Sequence, residues 1–290
     1  CSPVSVVRYD ADKVDTFLSV ENDVASLGYR EEGKALTYSW SKPYPSESSW
    51  LGKLSLLSED SAMEWKWGDP KERVKLIESH WSQSDSCAVL SLNYDVDGQG
   101  LTMNIYARMQ GRALVLYIQT DKALLSGFNA GDWEGEWKSK KIRPPFSPFD
   151  IYYFKSPDLF SSTFYDWTTS HASGQHKNSV LYDTLSDGNR NSLDENFVII
   201  VSRNINDTFP KVSNKPSLHR NEVAGRTVID VWTRDFNKIA KDLKNLGTYG
   251  LRDCVVLIHV WQHFGFEIGL PTHYPAWEKL GGEAGLRIAV

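Results

Sequence analysis

The chain has 290 residues, of which 41% are hydrophobic and 24% are charged, and its formal net charge is −5. A chain of this length can bury a large core, and it lies at the size where one domain usually becomes two. The acidic balance argues against a nucleic-acid-binding protein, because such proteins usually present a basic face to phosphate groups. No apolar run reaches the ~18 residues that a membrane-spanning helix needs, so we expect no membrane span.

Three cysteines without a CxxC pair indicate neither a disulfide scaffold nor a structural zinc site. The first residue is Cys1 rather than Met. One interpretation is a mature bacterial lipoprotein, in which the N-terminal cysteine carries the lipid, and processing or a fragment are the alternatives.

Residues 1–215 read as a β domain. In residues 101–110, apolar and polar side chains alternate, which is the period of a strand with one buried and one solvated face. Turn signals separate this segment from the apolar runs on either side, so three antiparallel strands in a meander are the simplest interpretation. Further short strands are predicted in ALTYSW, KLSLLS, FDIYYF and NFVIIVS. Many short strands with turns between them indicate a β-sandwich.

Two segments of the chain have no clear periodicity of their own. Residues 70–83 are ambiguous, because Asp69 and Pro70 could open a helix whereas the following residues alternate as in a strand. Residues 209–225 contain two prolines and several Ser and Asn residues, which interrupt both periodicities. We therefore predict two domains, 1–215 and 216–290.

The second domain begins with a β-α-β pattern. TVIDVW (227–232) is a predicted strand, residues 234–247 have apolar side chains at helical spacing with Gly247 as the stop, and CVVLIHVW (254–261) is a second strand. Residues 281–290 resemble the opening of another helix. Asp230 and His259 are 29 positions apart, close to the roughly 31 residues of one unit of a (β/α)₈ barrel, although any doubly wound α/β fold gives the same period.

Strand alternation places Asp230, Trp232, His259 and Trp261 on one face, at the carboxyl ends where barrel enzymes bind substrate. Gln262 follows directly. Carboxylates and imidazoles can hydrogen-bond sugar hydroxyls, and indoles cover the C–H face of a pyranose. These five residues are therefore the candidate carbohydrate-binding residues. The structural alternative is that the carboxylate belongs to an ordinary buried ion pair and that the tryptophans are core residues.

A metal site was the competing interpretation, because His259, His263 and Glu267 are spaced four apart, as on one face of a helix. His259 belongs to the predicted strand, and Gly265 and Gly269 argue against a helix after it. We therefore predict no metal ligand and no cofactor.

A set of ordered motifs resembles the endo-α-N-acetylgalactosaminidase family of glycoside hydrolases, over roughly residues 145–290. The motifs are FYDWTTSHAS, DGNRN, NFVIIVS, FPKVSNKPS, AGRTVIDVW, YGLRDCVVLIHVWQ and GLPTHYP. The resemblance implies a galactose-mutarotase-like sandwich followed by a (β/α)₈ barrel that cleaves O-glycans with retention. It places Asp230, Trp232, His259, Trp261 and Gln262 on the sugar-binding rim.

The resemblance also implies that both catalytic carboxyl groups lie on later barrel strands, beyond Val290. About two of the eight strands are expected in this chain. Asp253, Glu267, Glu278 and Glu283 match neither catalytic position, so no catalytic residue is assigned. Two parallel strands alone would leave edges and a face uncovered, and we expect further chain, the sandwich or another copy to cover them.

The leading hypothesis is therefore the N-terminal region of an extracellular or cell-surface glycoside hydrolase, inert by itself, with a glycan as its ligand. The alternative is a non-catalytic carbohydrate-binding or surface-adhesion protein. A structural module whose tryptophans all serve the core is the third interpretation.

Overall fold

A computed structural model describes residues 7–8, 14–46, 50–134, 138–145, 149–212, 217–265 and 272–290. Cys1, the residue of the lipoprotein interpretation, and Glu267, the third residue of the possible metal set with His259 and His263, lie outside the described residues. The chain divides into two compact units, Cys1–Ser213 (unit 1) and Asn214–Val290 (unit 2). In the described part of the chain, no helix has the length and apolar content needed to cross a membrane.

Unit 1 is mainly β and its sheets are antiparallel. The strands of its first half are β1 (Val7–Arg8), β2 (Asp15–Glu21), β3 (Val24–Glu31), β4 (Lys34–Ser41), β5 (Lys53–Ser58), β6 (Ser61–Lys66), β7 (Val74–Ser84), β8 (Cys87–Val96) and β9 (Gln99–Gln110). Those of its second half are β10 (Ala113–Thr120), β11 (Gly127–Asn129), β12 (Asp132–Trp133), β13 (Lys138–Ile142), β14 (Ile151–Phe154), β15 (Leu159–Tyr165), β16 (Gly174–His176), β17 (Ser179–Leu181), β18 (Asp194–Ser202) and β19 (Lys211–Val212). A 3₁₀ helix spans Ile205–Thr208.

Two large sheets make up most of unit 1. One has six strands in the order β12-β6-β5-β4-β3-β2, and the other has eight in the order β13-β14-β15-β18-β10-β9-β8-β7. Strands β11, β17 and β16 form a smaller sheet, and β1 pairs with β19. The predicted meander of β8, β9 and β10 is confirmed by their antiparallel registers. The ambiguous segment after residue 70 is a strand, β7, which pairs with β8.

An aromatic cluster occupies the main core of unit 1. Trp40 lies 5.0 Å from Trp67 between ring centroids, and Trp65 lies 5.0 Å from Trp133 in an edge-to-face arrangement. The indole nitrogens of Trp40 and Trp65 donate to backbone carbonyls at 2.7 Å, so burial costs these donors no hydrogen bond. These four tryptophans are core residues of unit 1.

Among its described residues, unit 2 contains one parallel strand pair, three α-helices and one 3₁₀ helix. Its elements are α1 (Arg220–Val223), β20 (Thr227–Trp232), α2 (Phe236–Thr248), β21 (Cys254–His259), a 3₁₀ helix (Glu278–Leu280) and α3 (Gly282–Ala289). Asp235 caps α2, since its carboxylate accepts a hydrogen bond from the amide of Lys238 at 3.0 Å. The helix continues through Gly247, the predicted stop, and the left-handed residue after its end is Gly250 (φ 98°).

Candidate functional site

The pairing of β20 with β21 brings three of the predicted site residues together. In the parallel register, Trp232 is the partner of His259, and Asp230 is the partner of Leu257, two residues before His259. Because side chains two residues apart on a strand share a face, Asp230, Trp232 and His259 lie side by side. We call these three residues the triad face.

The three side chains of the triad face are in direct contact. Nε2 of His259 is 2.9 Å from Oδ1 of Asp230. The imidazole of His259 stacks on the indole of Trp232, with 4.1 Å between ring centroids and 8° between ring planes. The carboxylate therefore holds one ring nitrogen while the indole holds the plane of the same ring.

The triad face is accessible to solvent within unit 2, since Trp232 is 54% exposed and the Asp230 side chain is exposed to the same extent. An ion pair that is this exposed stabilises a fold by only about 0–1 kcal/mol. Conformational stability is therefore a weak explanation for the pair. A half-exposed indole beside a carboxylate and an imidazole offers a ligand an apolar plane and hydrogen-bonding groups at the same place.

Both strands end in an unusual backbone conformation directly after the triad face. Thr233 follows Trp232 with φ 46°, and Val260 follows His259 with φ 63°. Both residues are β-branched, and such residues rarely adopt the left-handed region, at a cost of about 1–3 kcal/mol each. Strain of this kind clusters at ligand sites. The sequence contained no signal for it, because neither position is a Gly, Asn or Asp.

The opposite face of the strand pair packs on helix α2. Val231 and Ile258 pack against an apolar cluster that includes Phe236 and Ile239 of α2. Strand alternation therefore predicts correctly which residues face the helix. Val228 and Leu257 lie on the same face of the strand pair as Asp230, and both are about half exposed.

Trp261 has a different position from the one that alternation predicts. Strand β21 ends at His259, and the left-handed conformation of Val260 breaks the alternation before Trp261 is reached. The half-buried side chain of Trp261 packs against the apolar cluster of Phe236 and Ala276, and its carbonyl accepts a hydrogen bond from the Trp277 amide at 2.9 Å. A sugar-binding role for Trp261 stays a prediction.

Gln262 lies in the segment after β21. It forms an isolated antiparallel bridge with Ala276, and its Oε1 atom is buried without a hydrogen-bond partner among the described residues. His263 donates its backbone amide to the carbonyl of His273 at 3.0 Å. In the part of the chain that the structure describes, no three His, Cys, Asp or Glu residues are grouped to hold a metal ion.

Two further carboxylates of unit 2 that the sequence singled out, Asp253 and Glu283, have cationic or phenolic neighbours. Asp253 is 3.0 Å from Nε of Arg226, and Glu283 is 3.0 Å from Nη2 of Arg287. Glu283 also accepts a hydrogen bond from the hydroxyl of Tyr274. The carboxylate that belongs to the triad face is that of Asp230.

Comparison with known proteins gives a limited result. No protein-family model matches the chain, and no curated protein matches it. Among solved structures, the chain is similar to the α-N-acetylgalactosaminidase NagBb from Bifidobacterium bifidum in its GalNAc complex, with 10% identity, a TM-score of 0.43 and coverage of 91% of this chain and 56% of that one. The ligand-free form gives 10% identity, a TM-score of 0.36 and coverage of 90% and 56%.

A third structure of that enzyme, its Gal-NHAc-DNJ complex, gives 10% identity, a TM-score of 0.37 and coverage of 91% and 56%. The chain thus spans little more than half the length of these solved structures. At this identity and this TM-score, the likeness assigns no activity to the chain.

Proposed function

We propose that the triad face binds carbohydrate and that the chain is part of a glycoside hydrolase acting on O-glycans outside the cytoplasm. The observation that supports carbohydrate binding is the contact of His259 with both Asp230, at 2.9 Å, and Trp232, at 4.1 Å. A pyranose has an apolar C–H face and a rim of hydroxyls, and this arrangement offers an indole beside a carboxylate and an imidazole.

The proposal interprets β20, α2 and β21 as the first units of a (β/α)₈ barrel. In such barrels the substrate lies at the carboxyl ends of the strands, and Trp232 and His259 are the last residues of their strands. We propose that further chain or a second copy covers the face of the strand pair that carries Asp230, on which Val228 and Leu257 are exposed.

Hydrolysis with retention would require two carboxyl groups about 5–5.5 Å apart on either side of the glycosidic bond. We assign that pair to no residues of this chain, and we propose that Asp230 and His259 hold sugar hydroxyls instead. The hydrolase assignment rests on the ordered motifs between residues 145 and 290. The carbohydrate-binding assignment rests on the triad face.

Binding can be tested on an array of mucin-type O-glycans with the 290-residue protein and its Trp232→Ala variant. Loss of the indole should lower the affinity for bound glycans about five- to tenfold, since stacking on an aromatic ring contributes about 1 kcal/mol and about 1.4 kcal/mol corresponds to a factor of ten. Trp167→Ala is the matched control, because Trp167 is a partly exposed tryptophan of unit 1. Equal binding by Trp232→Ala and the unmodified chain would contradict the proposal.

A second candidate function is carbohydrate binding without catalysis, and the same triad face supports it. The two are distinguished by incubating the protein, as its native source produces it, with O-glycans and analysing released sugars by mass spectrometry. Release of sugar supports the hydrolase. Binding without release supports the adhesion protein.

A further inference from the structure

Unit 1 contains a cavity of about 460 Å³ that the triad face does not involve. Its volume falls in the range of about 300–1,000 Å³ that is typical of small-molecule sites. One part of its wall is apolar and comes from five separate segments of the chain. The apolar residues include Trp50, Val74, Val96, Leu124, Phe128 and Leu181.

Arg190 reaches this cavity from a tightly hydrogen-bonded loop. The carboxylate of Asp187 accepts hydrogen bonds from the backbone amide and the side-chain amide of Asn189, both at 2.9 Å. Gly188 takes φ 83°, a conformation that favours glycine, and the Asn189 carbonyl accepts the amide of Leu185 at 2.7 Å. The DGNRN motif is therefore a fixed turn that presents the next side chain, Arg190, to the cavity.

The guanidinium of Arg190 makes few hydrogen bonds with the described residues. Its Nη2 donates to the Thr184 hydroxyl at 3.3 Å, and its Nε is buried without a hydrogen-bond partner among the residues that the structure describes. None of the ion pairs in the described ranges involves Arg190. A partly buried cation without a carboxylate costs free energy that an anionic ligand would recover.

The charges around the cavity also favour an anion. Lys71, Arg73 and Arg190 line it together with Asp69 and Asp97. Arg73 is occupied, because its Nε donates to Oδ1 of Asp97 at 2.8 Å and its Nη2 contacts the other oxygen. The remaining charged residues of the wall are Lys71, Arg190 and Asp69. The wall therefore carries one net positive charge, whereas the whole protein has a net charge of −5. A local positive site on an acidic protein attracts anions.

The remaining polar residues of the cavity suit hydroxyl groups. Ser126, Asn129 and Ser179 lie on its wall, and their hydroxyl and amide groups can both donate and accept hydrogen bonds. We propose that this cavity binds a carboxylated sugar, such as a uronic acid. The carboxylate lies on Arg190, the C–H face lies against the apolar wall at Trp50 and Leu181, and the hydroxyls lie on the polar groups.

The proposal can be tested by calorimetric titration of the 290-residue protein with D-glucuronate and D-galacturonate at low ionic strength. The uncharged methyl esters of both sugars are the matched probes, because they keep the ring and remove the negative charge. At least one free acid should bind. The affinity of its ester should be lower by a factor of about ten or more, since a charge-assisted hydrogen bond changes a binding affinity by at least about that factor. Binding of neither acid, or equal binding of acid and ester, would overturn the proposal.

Two variants locate the site. Arg190→Gln should weaken binding of the acid about tenfold or more, whereas Arg252→Gln, at an exposed arginine of unit 2, should leave it unchanged.

Leu181→Trp places a larger side chain at the wall of the cavity. Because Leu181 is 51% exposed, the variant should block the cavity while its thermal unfolding stays unchanged. Unaltered affinity in either Arg190→Gln or Leu181→Trp would overturn the proposal. Trp232→Ala should not alter uronate binding, so this test is independent of the proposed function of the triad face.

Discussion

The imidazole of His259 lies nearly parallel to the indole of Trp232, with 8° between the ring planes. The two residues are direct partners in the parallel register of β20 and β21, so their side chains leave the sheet at the same level. The stack sets the plane of the imidazole, and Asp230 holds its Nε2 atom. A ligand on this face would therefore meet polar groups whose orientation is already established, which lowers the entropy cost of binding.

Asp230→Asn and His259→Gln should separate binding from stability on the triad face. Because the pair is partly exposed, each substitution should change the free energy of unfolding by about 1 kcal/mol or less. Each should lower glycan affinity about tenfold, because a hydrogen-bonding group that faces the ligand is replaced. Urea denaturation and glycan titration measure the two effects. Asp253→Asn is the control, since Asp253 forms an exposed ion pair with Arg226 in the same unit. Unchanged glycan affinity in Asp230→Asn would refute a ligand-binding role for the pair.

Glu195 should make unit 1 less stable as the pH rises. Its side chain is 1% exposed, and the hydroxyls of Ser170 and Tyr182 donate to its Oε1. Burial raises the pKa of the Glu195 carboxyl, and these hydrogen bonds offset part of that rise. The folded state therefore keeps the proton to a higher pH than the unfolded state does. Stability from this group is fully present below the unfolded pKa and is lost as the pH rises through the folded pKa.

The comparison with Glu195→Gln tests this linkage, because the variant cannot titrate at this position. We expect the free energy of unfolding of Glu195→Gln, relative to the unmodified protein, to increase with pH across the window just above the ordinary glutamate pKa. The slope of this difference cannot exceed about 1.4 kcal/mol per pH unit for one proton. Urea denaturation over a pH series provides the measurement, and a difference that is constant or falls with pH would contradict the prediction.

Arg112 and Arg73 should differ in what they contribute to stability. Arg112 is 8% exposed, and it pairs with Glu31 and lies 3.5 Å from Oδ2 of Asp207 through its Nε. Arg112→Gln leaves two carboxylates without their cation and should lower the free energy of unfolding by about 2 kcal/mol or more. The Arg73 side chain is 75% exposed, so Arg73→Gln should cost less than about 1 kcal/mol. Equal losses of unfolding free energy for the two variants, in thermal or urea unfolding, would contradict the prediction that the buried arginine contributes more to stability.

Gly52 and Gly33 allow steric crowding to be separated from backbone strain. Both adopt a left-handed conformation, with φ 91° and 80°. A Cβ atom at Gly52 would lie 1.7 Å from the carbonyl oxygen of Ser41, whereas one at Gly33 would meet no heavy atom within 4 Å among the described residues other than its own chain neighbours. Gly33→Ala should therefore cost only the conformational penalty of about 1–2 kcal/mol.

Gly52→Ala should lower the free energy of unfolding by at least about 2 kcal/mol more than Gly33→Ala does, because the backbone of β4 must shift. Urea denaturation of the two variants side by side tests the prediction. A loss at Gly52 no larger than the loss at Gly33 would mean that the turn after Trp50 relaxes without cost.

Local patterns were sufficient to predict much of both units. The meander of β8, β9 and β10, the helix α2 and the helix-facing side of β20 and β21 all follow from periodicities within one segment, and the structure confirms them. The segment after residue 70 could not be decided in this way. Its conformation is set by pairing with β8, and a partner strand is not visible in the segment itself.

The sequence by itself determined the mainly β character of unit 1, the β-α-β order of unit 2 and the shared face of Asp230, Trp232 and His259, because alternation and helical spacing are properties of neighbouring residues. Only the tertiary structure decided three further points. It inserted β18 between β15 and β10, turned Trp261 towards the apolar cluster after the left-handed Val260, and brought Arg190 to a cavity with Trp50 and Leu181. Each of these depends on contacts between residues far apart in the chain or on a backbone conformation that residue type does not encode.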